Sequence, residues 1–476
     1  MFRTVRPLIS RLLTPARALA LVALAALPAA AGWDTGLVIC ADYTGPASAC
    51  AFARLPPWTV TRDVATLGVD AVARWHDGLV YVVNRAGGSN VQILDPADGW
   101  RTVRQFSVGG GRNPQDIAFA PDGTAWVSCY DAALLLRVDV VAGMVTGTIS
   151  TASFADADGL PETGWMEAYG WRLYITAQRL DRNNYYAPAG PGALLVFDLA
   201  AQAWVDTAPA TPEVDPVWLV GGNPSGQPEL APGGLRLRLG CVGFYGVVDG
   251  GVEEVDLVTL QSRGFLVTEA TLGGDLLDFT VVDDSHAWAI VGDASFATSV
   301  KAWRPDTGAV GATARASDDY VFPDLAWDGG AWLYVADRTL AAAGLRVFDA
   351  WTGSEQTGAA IACGLPPAWI ALPRLPALTA VPEPGRAAGA LRLAPPVPNP
   401  ANPGCEIVLE GPPQAAVAVT LHDLRGRRVR SMSAGLDRDG RGRFRFDGRD
   451  DAGRLVAAGR YVVRAGGAEV GLTIVR

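Results

Sequence analysis

Pro114-Gln115-Asp116-Ile117-Ala118-Phe119-Ala120-Pro121-Asp122-Gly123-Thr124-Ala125-Trp126-Val127 is the stretch on which the fold turns. Asp116 opens one short strand, and ten residues later Trp126 sits in a second, aromatic and β-branched one. The second strand recurs in type as Val80-Tyr81-Val82-Val83, Leu173-Tyr174-Ile175-Thr176, Ala287-Trp288-Ala289-Ile290 and Leu333-Tyr334-Val335-Ala336. A strand ending in an aspartate and a turn keeps the same phase: Ile93-Leu94-Asp95, Arg137-Val138-Asp139, Val196-Phe197-Asp198, Glu254-Val255-Asp256 and Val347-Phe348-Asp349, with Arg304 in that place in one repeat. Successive points lie 44, 59, 58, 48 and 45 residues apart, with no long amphipathic helix between them. Such spacing suits units of four strands with loops of variable length.

The ends of the repeat are incomplete in complementary ways. Residues 368–372 read as a first strand with nothing after it, whereas 37–41, 50–55 and 59–65 read as second, third and fourth strands with no first. Together they make one blade, and six more begin near Asp70, Asp116, Trp165, Val217, Asp278 and Asp324. The expectation is an all-β chain: a seven-bladed β-propeller over residues 32–373, followed by a small immunoglobulin-like β-sandwich. Closing the ring with strands from both termini leaves no free sheet edge. In pattern the 114–127 stretch resembles propeller repeats of the YVTN and NHL type, a resemblance that speaks to fold rather than function.

Arg3, Arg6, Arg11 and Arg17 precede the apolar run 18–27, and Ala29-Ala30-Ala31-Gly32 follows as a small-residue cleavage pattern. Residues 1–31 therefore read as a signal peptide, too short in its apolar part for a stable membrane anchor. Export permits a disulfide, and Cys40 and Cys50 are expected to stand opposite one another across a hairpin centred on Gly45 and to form one. Residues 32–376 carry 39 Asp and Glu against 20 Lys and Arg, a net of -19, while 377–476 carry 15 Arg against 10 acids, a net of +5. So acidic a body is expected to repel nucleic acid, whose binding rests on neutralising phosphates.

Residues 374–397 read as a Pro- and Ala-rich linker. In 398–476, strands are expected at 405–409, 416–422, 428–433, 442–446 and 459–464. Pro398-Asn399-Pro400, Leu421-His422-Asp423-Leu424-Arg425-Gly426-Arg427-Arg428-Val429, Phe446-Asp447-Gly448-Arg449-Asp450-Asp451-Ala452-Gly453 and Ala458-Gly459-Arg460-Tyr461 resemble the FlgD-type immunoglobulin-like domain found at the C-termini of bacterial secreted proteins. That group includes the type A sorting domain of the type IX secretion route. The resemblance implies contact with secretion machinery and a place outside the cell or on its outer surface, the periplasm being the alternative.

For chemistry there are three histidines, His76, His286 and His422, and a single lysine, Lys301. They form no Ser/His/Asp order, nucleotide loop or paired-His pattern. Asp70, Asp116, Asp278 and Asp324 each open the first strand of a blade and are candidate ligand-binding residues at the channel mouth. Converging carboxylates repel unless a cation such as calcium sits between them, and the other reading is that each satisfies backbone donors. Asp156 and Asp158, in Ala155-Asp156-Ala157-Asp158-Gly159, form a fragment of a calcium loop. The insertion 180–192 offers Arg182, Asn183, Tyr185 and Tyr186, able to stack on and hydrogen-bond a sugar or peptide.

The first expectation for function is an exported propeller that binds a protein, glycan or small ligand, carried by a sorting or attachment domain. A secreted metal-dependent hydrolase or lactonase with its site at the propeller mouth is an alternative, needing a coordinated cation and a nearby acid or base. A structural cell-envelope spacer is the third.

Overall fold

The computed structural model describes residues 34–231 and 235–373 and, in segments, 392–475. The expected leader and most of the expected linker lie outside the described residues. Among the described residues regular structure is nearly all strand, and no helix is long and apolar enough to cross a membrane.

Among the described residues, seven antiparallel sheets of three to five strands follow one another between Thr35 and Ala371, with one two-stranded ribbon besides. In most of them spatial order is chain order, as in Ala71–His76, Leu79–Asn84, Asn90–Asp95 and Arg101–Ser107. Position in the sheet explains the sequence of each strand. Leu79–Asn84 is buried from Val80 onward because neighbouring sheets cover both its faces, so it reads as a continuous apolar run. Met144–Ser150 lies at an outer edge and alternates between exposed and half-buried residues. The largest fully buried side chains include Trp126, Trp303, Tyr174 and Tyr334, all on inner-sheet strands of the repeat. Trp171, Trp218 and Trp351 are exposed, so not every tryptophan serves this packing.

The ring closes as the end strands suggested. Pro367–Ala371 pairs antiparallel with Thr35–Cys40, matching Val38 to Ile370, and Ala47–Ala53 and Val60–Leu67 complete that sheet. The sheet beginning at Leu325 has three regular strands, its outer position filled by bridges from Glu355 and Ile361. One expected start is corrected. Val217–Trp218 does not open a blade; it pairs with Ala193–Leu194 at the outside of the preceding sheet. The next innermost strand is the two-residue Glu229–Leu230, paired with Arg238 and Leu237.

The cysteine geometry also differs from expectation. Cys40 lies opposite Ser48 and Cys50 opposite Val38, so the pair is diagonal rather than directly facing. The two thiols are 3.8 Å apart and reduced in this structure, buried beside Cys363. The offset follows from the loop Ala41–Pro46, which centres the hairpin away from Gly45.

The C-terminal region is a two-sheet sandwich. Arg392–Leu393, Cys405–Glu410 and Arg441–Phe446 form one sheet; Arg428–Gly435, Ala416–Asp423, Gly459–Ala465 and Ala468–Ile474 form the other. Its first strand thus comes from within the expected linker, and its last, Ala468–Ile474, lies beyond the five strand ranges expected. Ile407, Leu409, Val419, Leu421, Phe446, Val463, Leu472 and Ile474 fill a core of its own. Tyr461 Oη donates to the Ala457 carbonyl at 2.7 Å, a backbone tie of the kind that fixes strand corners in immunoglobulin-like sandwiches.

Candidate functional site

The channel carboxylates bridge neighbouring sheets. Asp116 is fully buried; its Oδ1 accepts from Ile117 N at 2.8 Å and its Oδ2 from Met166 N, on the next innermost strand, at 2.8 Å. Asp278 repeats this, accepting from Phe279 N at 2.9 Å and from Leu325 N in the next sheet at 2.8 Å. Asp324 accepts from Ile370 N at 2.6 Å. Glu229 plays the same part for its sheet, accepting from Thr280 Oγ1 at 2.7 Å and Val281 N at 2.9 Å. Asp70 stands apart, a quarter exposed and paired with Arg85 at 2.6 Å.

Their charges are met from within the protein. Arg74 takes both oxygens of Asp116, at 2.8 and 2.6 Å. Asp278 and Asp324 are close neighbours, and the charge on Asp278 disfavours ionisation of Asp324. Burial pushes Asp278 up to about 7, with Glu229 adding like charge against the pull of two backbone N–H groups. Burial and the Asp278 charge hold Asp324 well above the usual carboxylate range. The four expected aspartates are therefore not gathered at an open mouth. Above Arg74, Trp165 and Trp369 stack at 4.7 Å with 9° between their planes, and the Arg74 guanidinium lies 5.6 Å from the Trp165 ring. Trp165 Nε1 donates to Ser225 O at 2.6 Å and Trp369 Nε1 to Ala73 O at 3.4 Å, so the stack is tied to two further segments of the ring.

The open concave surface lies to one side, on the face made by loops before first strands and between second and third strands. A cleft of about 370 Å³ is walled by Tyr130, Tyr185, Tyr186, Phe244 and Tyr245, with Gln178, Asn223 and Ser225 among its polar lining. Tyr185 and Tyr186 sit on a small ribbon in which Leu180–Asp181 pairs with Ala187–Pro188. Both tyrosines have left-handed backbones, φ 54° and 57°, a conformation that bulky residues rarely adopt. The Asp181 carbonyl holds the turn by accepting from Asn184 N and Tyr186 N at 3.0 Å each. Phe244 and Tyr245 follow Gly243, φ 61°, where a Cβ would meet Asp249 Oδ1 at 1.9 Å, so a side chain there would be strained and would displace that carboxylate. Asn223 is 5% exposed; its Nδ2 donates to Gly243 O at 3.1 Å while its Oδ1 has no partner among the described residues.

Arg182 is committed to the frame of this cleft. Its Nε donates to Glu162 Oε1 at 2.9 Å, its Nη2 to Tyr130 O at 3.0 Å, and its Nη1 pairs with Asp131 at 2.8 Å. Its guanidinium lies 5.2 Å from the Tyr130 ring centroid and 6.0 Å from that of Tyr186. Asn183 is exposed, gives its N–H to Asp181 Oδ1, and does not line the cleft. Behind Arg182, Asp156, Asp158 and Glu162 offer oxygens within 4.8 Å of one another. The expected Asp156 and Asp158 pair thus gains Glu162, a fully buried carboxylate that burial pushes up to about 7 against the pull of Arg182. Arg182 supplies the positive charge there: it approaches Asp158 to 3.9 Å as well as contacting Glu162. Tyr130, Asn223, Phe244 and Tyr245 were not foreseen; the one sequence signal is the paired aromatics in the glycine-rich Val242-Gly243-Phe244-Tyr245-Gly246.

Residues 403–469 match the FlgD Ig-like domain family. No curated protein shows a significant sequence match to the chain. Among solved structures, the chain is similar to a putative 6-phosphogluconolactonase from Bacteroides fragilis NCTC 9343, at 13% identity over 71% of this chain and 96% of that one, with a TM-score of 0.51. It is also similar to apo AztD from Citrobacter koseri, at 13% identity over 71% and 97% of the two chains, TM-score 0.45. At such identity the likeness to the first speaks to a propeller-like fold alone.

Proposed function

We propose that the protein is an exported carbohydrate-binding module, its cleft presenting aromatic faces to the apolar side of a sugar and its C-terminal domain serving sorting or attachment. The observation that carries this reading is Tyr185, 91% exposed on a backbone of unfavourable φ. An exposed ring contributes little to the core, and left-handed backbone at such a residue costs on the order of 1 kcal/mol or more, so selection for presentation accounts for it better than packing does. Asn223 Oδ1 adds a buried acceptor that a sugar hydroxyl or acetamido N–H would satisfy. The formal charge of the body disfavours anionic glycans and favours neutral or amino sugars.

Calorimetry against neutral oligosaccharides of glucose, mannose and N-acetylglucosamine, with polygalacturonate as the anionic counterpart, tests this. Wild type is expected to bind at least one neutral series and not polygalacturonate. Tyr185→Ala and Tyr245→Ala should each weaken binding about tenfold, about 1.4 kcal/mol, without lowering thermal stability. Absence of binding to every neutral series, or equal binding by the variants, overturns the reading.

The tail has its own core and a net charge opposite to that of the body, the marks of an independently stable domain. Deleting residues 392–476 is expected to leave the melting transition of the repeat region in place and to change where the exported protein ends up, checked by cell fractionation. Unchanged location would favour a spacer.

A further inference from the structure

Beside the aromatic cleft lies a second cavity of about 450 Å³ whose lining includes Gly87, Gly88, Gly110, Gly111, Asn113 and Asp131. The two cavities adjoin: Tyr130 lines the first and Asp131, the next residue, lines the second. Arg182 holds this shared step rigid from below, bonded to the Tyr130 carbonyl at 3.0 Å and the Asp131 carboxylate at 2.8 Å. Tyr130 N in turn donates to Asn113 O at 3.0 Å, tying the step to the trough's own wall.

Gly110 is the informative residue. It does not have the left-handed backbone that favours glycine, and a Cβ built on it would meet nothing within 4 Å. Neither backbone conformation nor packing in the fold asks for glycine there, whereas an open trough does. Among the described residues the trough offers no aromatic wall but backbone, small polar groups and the Asp131 carboxylate, which suits sugar hydroxyls and not a stacked ring.

Resting on the carbohydrate reading above, we infer that the trough is a second subsite of one groove, so that the ligand is an oligosaccharide running from the tyrosine cleft across the Tyr130–Asp131 step. The probes are the dimer and hexamer of whichever series, glucose, mannose or N-acetylglucosamine, binds in the panel. Wild type should bind the hexamer about tenfold tighter than the dimer. Gly110→Trp, which fills the trough from a position with space for it, should bring the hexamer down to the affinity of the dimer and leave the dimer unchanged. Gly110→Ala should behave as wild type, and near-ultraviolet circular dichroism reports whether Gly110→Trp keeps its fold. A hexamer that binds no tighter than the dimer, or one unaffected in folded Gly110→Trp, overturns the second subsite while leaving the tyrosine cleft in place. If no neutral series binds wild type in the panel, the carbohydrate reading and the subsite fall together.

Discussion

Asp116→Ala is expected to lower unfolding stability by about 3–5 kcal/mol, read as a shift in the urea midpoint. The carboxylate answers three donors at once: Ile117 N in its own strand, Met166 N in the next sheet and the Arg74 guanidinium from the sheet before. Met166 and Ile117 are buried, so their N–H groups cannot turn to water when the acceptor goes. Arg74 would lose both short contacts while only 13% of its side chain is exposed. Asp116→Asn keeps one oxygen for a backbone donor but removes the charge, and should fall between wild type and Ala. A loss under about 1 kcal/mol in the Ala variant would show that the bridge between sheets is not what holds the ring at this point.

Residues that repeat a pairing pattern were legible in the chain; residues that act through space were not. The phase of Tyr81, Trp126, Tyr174, Trp288 and Tyr334 marks second strands because a strand covered on both faces must be apolar throughout, and that demand is local. Closure by Pro367–Ala371 was legible for the same reason, as a strand with no successor. Glu229–Leu230 was not, because two residues show no period and the nearby Val217-Trp218-Leu219 has the stronger strand composition. What decided its place was the Glu229 carboxylate reaching Val281 N, 52 positions on, which no window of sequence contains.

The candidate site divides along the same line. The insertion bearing Tyr185 and Tyr186 stands out by its length, and the structure puts both rings on the cleft. Arg182 and Asn183 beside them look equally suited to a ligand, yet Arg182 is drawn under the cleft by Glu162 and Asp131. Asn223 carries no local signature; its importance lies in an amide half satisfied by Gly243 and half unsatisfied. Asp70 and Asp324 stand just before their strands, whereas Asp116 and Asp278 fall inside Pro114–Phe119 and Asp275–Asp283, and whether such a carboxylate meets a cation or a backbone N–H depends on the neighbouring sheet.

The pair Asp278 and Asp324 should make stability depend on pH in the direction opposite to that of ordinary ion-paired carboxylates. Both groups titrate higher folded than unfolded, chiefly because burial disfavours the charged form, Asp278 reaching about 7. Their contribution is therefore fully present below the unfolded value near 4 and is lost as pH rises toward 7, since the unfolded chain then releases a proton that the folded pair retains. Between pH 5 and pH 8 wild type should lose on the order of 3 kcal/mol from this source. Asp324→Asn removes the titrating carboxyl beside Asp278, brings an amide donor in its place and keeps an oxygen for Ile370 N, whose bond is 2.6 Å in the wild type. The variant should match wild type near pH 5 and exceed it near pH 8. Glu162 and Glu269, each also raised to about 7 by burial, titrate in both proteins and cancel from the difference. Urea midpoints of the two proteins across that range decide the matter: parallel curves would mean that Asp324 titrates no higher folded than unfolded and meets Asp278 as an ordinary ionised neighbour.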